Sequence, residues 1–188
     1  MPAIPKALKE WVVAIEALKR GDMVVAIRKG GILEEQFVVE NREFFLYPTY
    51  FHPHRDLLQP AFHADLQAAW ATRPPDDRVI ISAFARVVDV LPIRDLTQLR
   101  ALAPHYIWTP EYIEERFRWR QDQPLLLLLL RVFTIPAQAL PARSEYGGCR
   151  SWVDLIDELS IVGAVPALGE AEFAVKASAV RDVLAQPA

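Results

Sequence analysis

Six consecutive leucines, Leu125 to Leu130, closed by Pro124 and Arg131, restrict what this chain can become more than any other feature. A leucine at every position leaves no wet face, so the run must be covered on both sides. It falls far below the roughly 18 to 20 apolar residues that span a bilayer, so the cover is protein rather than lipid. PLLLLLLRVFTIP therefore predicts a strand buried on both faces.

The other segments supply its partners. Leu8, Trp11, Val12, Ile15 and Leu18 recur at helical spacing, with Pro5 near the start and Gly21 past the end, which predicts an amphipathic helix. From Met23 the period changes: MVVAIRKGG, FVVE and EFFLYPTY predict three short strands in a meander. RVIISAFARVVDVLPI predicts one bent strand or two, followed by a helix from about Asp95 and another near Thr109, a good N-cap with Pro110 at the first helical position. Residues 52 to 78 carry Pro53, Pro60, Pro74 and Pro75 and one short helical candidate, AFHADLQAAWA, which predicts a long surface excursion able to serve as a mobile lid.

Many strands, few helices and no regular strand-helix alternation predict an α+β fold, a small mostly antiparallel β-barrel or sheet with flanking helices. One domain over 1–160 is expected, followed by a helical appendage over 161–188 with an apolar stripe of Phe173, Ala177, Val180 and Leu184.

The formal net charge of -3 means that nucleic acid could be held only by a local basic patch. The single cysteine, Cys149, excludes an intramolecular disulfide and fits a reducing cytoplasm. MPAIPKALKEWVV has no secretory signal pattern, so the expected location is cytoplasmic, with no membrane partner.

Among 7 glycines there is neither GxxxxGK[ST] nor GxGxxG, which removes both phosphate-cradling loops. None of Lys6, Lys9, Lys19, Lys29 or Lys176 has an acid two positions before it, so the acid-x-Lys arrangement of a restriction-type nuclease is missing. His52-Pro-His54, with His63 and His105, is the obvious metal suspect, but Pro53 forces an extended dipeptide whose rings diverge. Neither a metal nor a cofactor is expected. Cys149 after Gly147-Gly148 is either a thiol at a turn beside His105 or His52, or a small buried residue.

Two basic groups suit phosphate. Arg28 and Lys29 end a strand before the flexible Gly30-Gly31, with Arg55 as a third cation, while Arg116, Arg118 and Arg120 surround Trp119. The competing reading is a solvated helix end whose arginines pair with Glu111, Glu114 and Glu115. Tyr47, Tyr50, Phe51, Trp108 and Tyr146 either wall a pocket for a planar group or fill the core.

RKGGI at 28 to 32, LYPTYFH at 46 to 52, HYIWT at 105 to 109 and EYGGCRSW at 145 to 152 resemble the bacterial and archaeal family known as domain of unknown function 1802, over about Ala7 to Leu155. That family is uncharacterised, and its association with an Mrr-type restriction endonuclease domain implies a place in restriction-modification, with a restriction endonuclease subunit as partner. The order of GDMVVAIRKG, AFARVVDV and LLLLLLRV is also similar to that in ASCH and other PUA-like barrels, from whose compact members the 52 to 78 excursion departs. That likeness implies RNA binding, or capture of a modified base in an aromatic pocket.

The leading expectation is a nucleic-acid-binding or modified-base-recognising accessory module, taking DNA or RNA. Its pocket would be lined by Arg28, Lys29, Tyr47, Tyr50, His52, Trp108, Tyr146 and Cys149, with Arg28, Lys29, Arg55, Arg116, Arg118 and Arg120 on the nucleic-acid backbone. Two alternatives stay open. One is a small hydrolase on a nucleoside-like substrate, using Lys29, Cys149 or His52 with an acid such as Glu43; the other is a protein-binding accessory subunit.

Overall fold

The computed structural model describes residues 6–29, 37–51 and 54–185. The chain forms strand β1 (Lys6–Trp11), helix α1 (Val12–Arg20), β2 (Val25–Arg28), β3 (Glu43–Thr49), α2 (His63–Ala71), β4 (Arg78–Ile93), α3 (Leu96–Ala101), α4 (Pro110–Arg118), β5 (Leu125–Pro141), β6 (Trp152–Asp154), β7 (Val165–Pro166) and α5 (Glu170–Ala185). The strands make one sheet in the order β2-β5-β4-β3-β1-β6, with β7 added to β5. Every pairing is antiparallel except that of β1 with β3. This is the expected α+β fold, a mostly antiparallel sheet with flanking helices.

The leucine run lies between β4 and β2. All of its residues except Leu126 are buried, as a strand covered on both faces requires. Each buried leucine contributes roughly 1.5–3 kcal/mol of transfer free energy. Strands β4 and β5 stay paired almost end to end, through register shifts between Ile81 and Ala83 and between Val87 and Asp89. Such bulges increase local twist, and here they accompany the curl of the sheet.

Side chains alternate between two cores. On β3, Phe44 and Leu46 join the larger cluster with Val13, Ala14, Ile15 and Leu18 of α1, while Phe45 and Tyr47 join a second cluster with Ile81, Phe84 and Tyr146. Phe173, Ala177 and Val180 of α5 are buried in the larger cluster, and Leu184 packs against it.

Several local expectations change, among them the meander, since β2 and β3 are not neighbours in the sheet. Lys6–Trp11 is a strand, and the helix starts only at Val12, because β1 gains a parallel partner in β3 that no local periodicity announces. Residues 37–40 form no strand, although Phe37 is buried and stacks on Trp152 with centroids 6.0 Å apart. Pro136 lies inside β5 and Pro141 ends it. The excursion after β3 is pinned down: Leu58 is buried and bridges to Trp108, and the Gln59 amide donates to the carbonyls of Ala103, Tyr106 and Trp108 at 3.0, 2.8 and 3.1 Å.

Among the described residues no helix is long and apolar enough to cross a membrane. Helix α1 stops at Gly21, whose φ of 76° lets its amide and that of Asp22 close on Leu18 and Ala17. A methyl group there would overlap the Leu168 side chain as well as straining the backbone. Gly21→Ala is therefore expected to lower the unfolding free energy by at least about 1–2 kcal/mol in urea titrations.

Candidate functional site

A groove of about 1170 Å³ opens where the free stretch of β1 approaches the end of β2. A side chain links those strands. Arg28, the last residue of β2, donates from Nη2 to the Lys9 carbonyl at 2.6 Å and to Glu10 Oε2 at 2.7 Å. Glu10 is buried, and its Oε1 accepts the Trp11 amide at 2.8 Å, so both carboxylate oxygens are occupied. Arg28 Nε is buried and has no hydrogen-bond partner among the described residues.

Above this pair lies a floor of rings. Trp11 meets Trp108 edge to face with centroids 6.2 Å apart, and lies 5.3 Å from Tyr112. Tyr47 and Tyr146 close another side at 6.0 Å. Burial pushes the Tyr112, Tyr47 and Tyr50 hydroxyls above their ordinary pKa, with Glu16 adding to the effect at Tyr50. All three therefore stay neutral donors at physiological pH.

The walls are cationic. Lys9, Arg28, Arg73, Arg78, Arg116, Arg143 and Arg150 line the groove against three acids, Glu10, Asp76 and Glu115, in a chain whose net charge is -3. Several of these cations are paired: Arg28 with Glu10, Arg73 with Asp76, and Arg78 with Asp77 at 3.3 Å. Among the described residues Arg116 and Arg150 have no carboxylate partner. Their charge is available to an anionic ligand.

Arg116 is positioned from below. Lys29 is buried and donates to the Phe117 carbonyl at the end of α4, so a cation caps the negative end of the helix that carries Arg116. Burial pulls the Lys29 pKa below its usual value, and the neighbouring Arg116 lowers it further.

The far wall is set by a turn. Lys9 Nζ donates to the carbonyls of Gly147 and Gly148 at 3.0 and 2.8 Å, holding the glycine pair beside the groove with Cys149 exposed after it. Gly148 has φ of 78°, which favours glycine. The turn is anchored by Tyr146, whose hydroxyl donates to Asp157 Oδ2 at 2.8 Å and accepts the Ile156 amide at 2.9 Å. Arg143 clamps the same carboxylate at 2.9 and 2.8 Å. Hydrogen bonds from Arg143 and then Tyr146 hold the Asp157 carboxyl down to about 2.

Arg28, Tyr47, Tyr50, Trp108, Tyr146, Cys149 and Arg116 thus face one groove. Other candidates do not. Lys29 is enclosed behind α4; Arg118 pairs with Glu114 at 3.1 Å; Arg120 lies 4.5 Å from the Trp119 ring centroid but does not line the groove; and Arg55 donates to His63 Nδ1 at 2.9 Å. His52, Gly30 and Gly31 lie outside the described residues. Of the hydrolase set, Glu43 pairs with Arg86 at 2.6 Å away from the groove, and among its described members only Cys149 lines it.

His54 lines the groove, whereas His63 is occupied by Arg55 and the Leu58 carbonyl and His105 lies elsewhere. Among the described residues no three His, Cys, Asp or Glu side chains gather as metal ligands. Sequence reading missed Lys9, Glu10, Trp11, Arg73, Arg143 and Arg150. Reading Leu8 to Leu18 as one helix hid the first three, and only the hydrophobic neighbours of Arg73, Tyr50-Phe51 and Trp70, hinted at the fourth.

Two outcomes test this construction. Glu10→Gln, which leaves the guanidinium without a counter-charge, is expected to cost about 3 kcal/mol in chemical unfolding, and the double variant with Arg28→Met less than the sum of the two single changes. Because the folded pKa of Asp157 is depressed, its contribution is complete above about pH 4 and is lost as pH falls through about 2. Asp157→Asn should lower the melting temperature at neutral pH and flatten its decline in that acid window.

No curated protein matches the chain significantly. Among solved structures it is similar to the crystal structure of a mutant ZmASCH protein from Zymomonas mobilis, with 12% sequence identity, a TM-score of 0.47, and coverage of 95% of this chain and 98% of that one. The family described as domain of unknown function, DUF1802, matches residues 7–179, past the Leu155 limit expected from the motifs and well into α5. The chain belongs to that family.

Proposed function

We propose that this protein is a nucleic-acid-binding module whose groove receives a base, native or modified, while the cationic walls engage the adjoining phosphates. The observation that carries the reading is convergence. Seven cations, four of them ion-paired, and eight aromatic residues line one groove in a chain of net charge -3. A neutral or cationic ligand would have no use for this local excess of positive charge, and a simple anion would have none for the rings.

In this reading Arg116 and Arg150, without carboxylate partners, meet phosphate oxygens, while Trp11 and Tyr112, backed by the buried Trp108, form the surface against which a planar group rests. Arg28 organises the floor, since its charge is matched by Glu10. A base-recognising module without the acid-x-Lys arrangement suits an accessory role in restriction or defence, where a separate nuclease subunit would cut.

Fluorescence anisotropy with labelled single-stranded and duplex RNA and DNA, titrated between 50 and 200 mM salt, tests the reading. Binding should weaken steeply with salt, and Arg116→Ala and Arg150→Ala should each reduce the log-log slope by about 1. Absence of binding to all four probes, or a slope unchanged in both variants, overturns it.

A further inference from the structure

We infer that the groove takes a single strand of at least two consecutive unpaired nucleotides, with bases held at two separate arginine-aromatic stations. This rests on the nucleic-acid reading above and adds strandedness and a minimum length. The first station surrounds Arg73, whose guanidinium carbon lies 5.4 Å from the Phe51 ring centroid and 5.7 Å from those of Tyr50 and Trp70. The second is Trp119 at the end of α4, with Arg116 at 5.3 Å and Arg120 at 4.5 Å.

These stations are built on different elements. One joins the segment after β3 to the end of α2, and the other follows α4, yet Tyr50, Phe51, Arg73, Arg116 and Trp119 all line the same groove. Phe51 is 76% exposed, an unfavourable setting for a phenyl ring unless something covers it. Both aromatic rings and guanidinium planes are stacking surfaces for bases, and every base has a face to offer them. At the second station Arg116, which has no carboxylate partner among the described residues, also supplies charge for the phosphate beside the stacked base, whereas Arg73, paired with Asp76, acts as a stacking surface.

The groove's volume leaves room for more than one nucleotide. The groove, at about 1170 Å³, exceeds the roughly 300–1,000 Å³ typical of small-molecule sites. One nucleotide would occupy one station and leave the other wet. A duplex hides its base faces in its own stack and would have to extrude two bases to fill both stations, whereas an unpaired strand presents them without that cost.

The test uses fluorescein-labelled U12 and dT12 with unlabelled UMP, dinucleotide, 12-mer and 12-base-pair duplex as competitors. The 12-mers should compete far better than UMP and better than duplex. Phe51→Ala and Trp119→Ala should each weaken 12-mer binding by about tenfold, while Trp119→Phe, which keeps a ring, recovers most of the loss. Preference for U12 or dT12 identifies RNA or DNA as the source. If UMP or duplex competes as well as the 12-mer, or if only one station matters, the two-station inference is overturned while nucleic-acid binding stands. If no 12-mer or duplex binds, the underlying reading fails as well.

Discussion

The Glu10–Arg28 pair is the constraint on which the rest of the molecule's working side depends. Strands β1 and β2 are separated by three strands within the sheet, and the curl brings the end of one toward the free end of the other. Arg28 spans that gap to the Lys9 carbonyl and the Glu10 carboxylate. Removing these charges from water is costly, and the cost is offset by close geometry and by filling the second carboxylate oxygen with the Trp11 amide. The floor is therefore rigid and nearly neutral. Lys9 and Trp11, the flanking residues of Glu10, are fixed with it, one reaching the glycine turn and the other the ring cluster.

Much of the fold was legible because its strongest signals are local. A run of leucines must be covered, and β5 is; Thr109 before a proline should cap a helix, and its hydroxyl accepts the Tyr112 amide at 3.4 Å. The misreading of Lys6–Trp11 has an equally physical cause. Leu8 and Trp11 fall on the helical spacing of Val12, Ile15 and Leu18, while β1 owes its strand conformation to β3, which begins more than thirty residues later. Residues 37–40 show the reverse: a β-branched sequence gained no partner strand, so burial of Phe37 against Trp152 decides its position instead.

At the groove, the legible residues were those at strand ends and turns, where a side chain leaves the regular pattern. Tyr47, Tyr50, Trp108, Tyr146, Arg28 and Cys149 were found in this way. What the sequence could not disclose was the state of each charge. Lys29 has the same local context as Arg28 but is enclosed and serves α4, and Arg118, one helical half-turn from Arg116, turns to Glu114. Adjacent cations in a chain point to different surroundings, and only tertiary packing decides which of them remains available.

The aromatic residues divide by burial, and that division argues for a ligand more strongly than their number. Trp108, Tyr47 and Tyr146 are buried, and their rings are part of what stabilises the two cores. Phe51 gains little such stabilisation and Trp70 only part of it, since they stay exposed to different degrees beside Arg73 at the excursion that Gln59 pins to the fold. A core does not need them there, and solubility would favour polar residues in their place. On the proposed reading, their placement around a guanidinium is a surface completed from outside, by a partner that is planar and negatively charged at once.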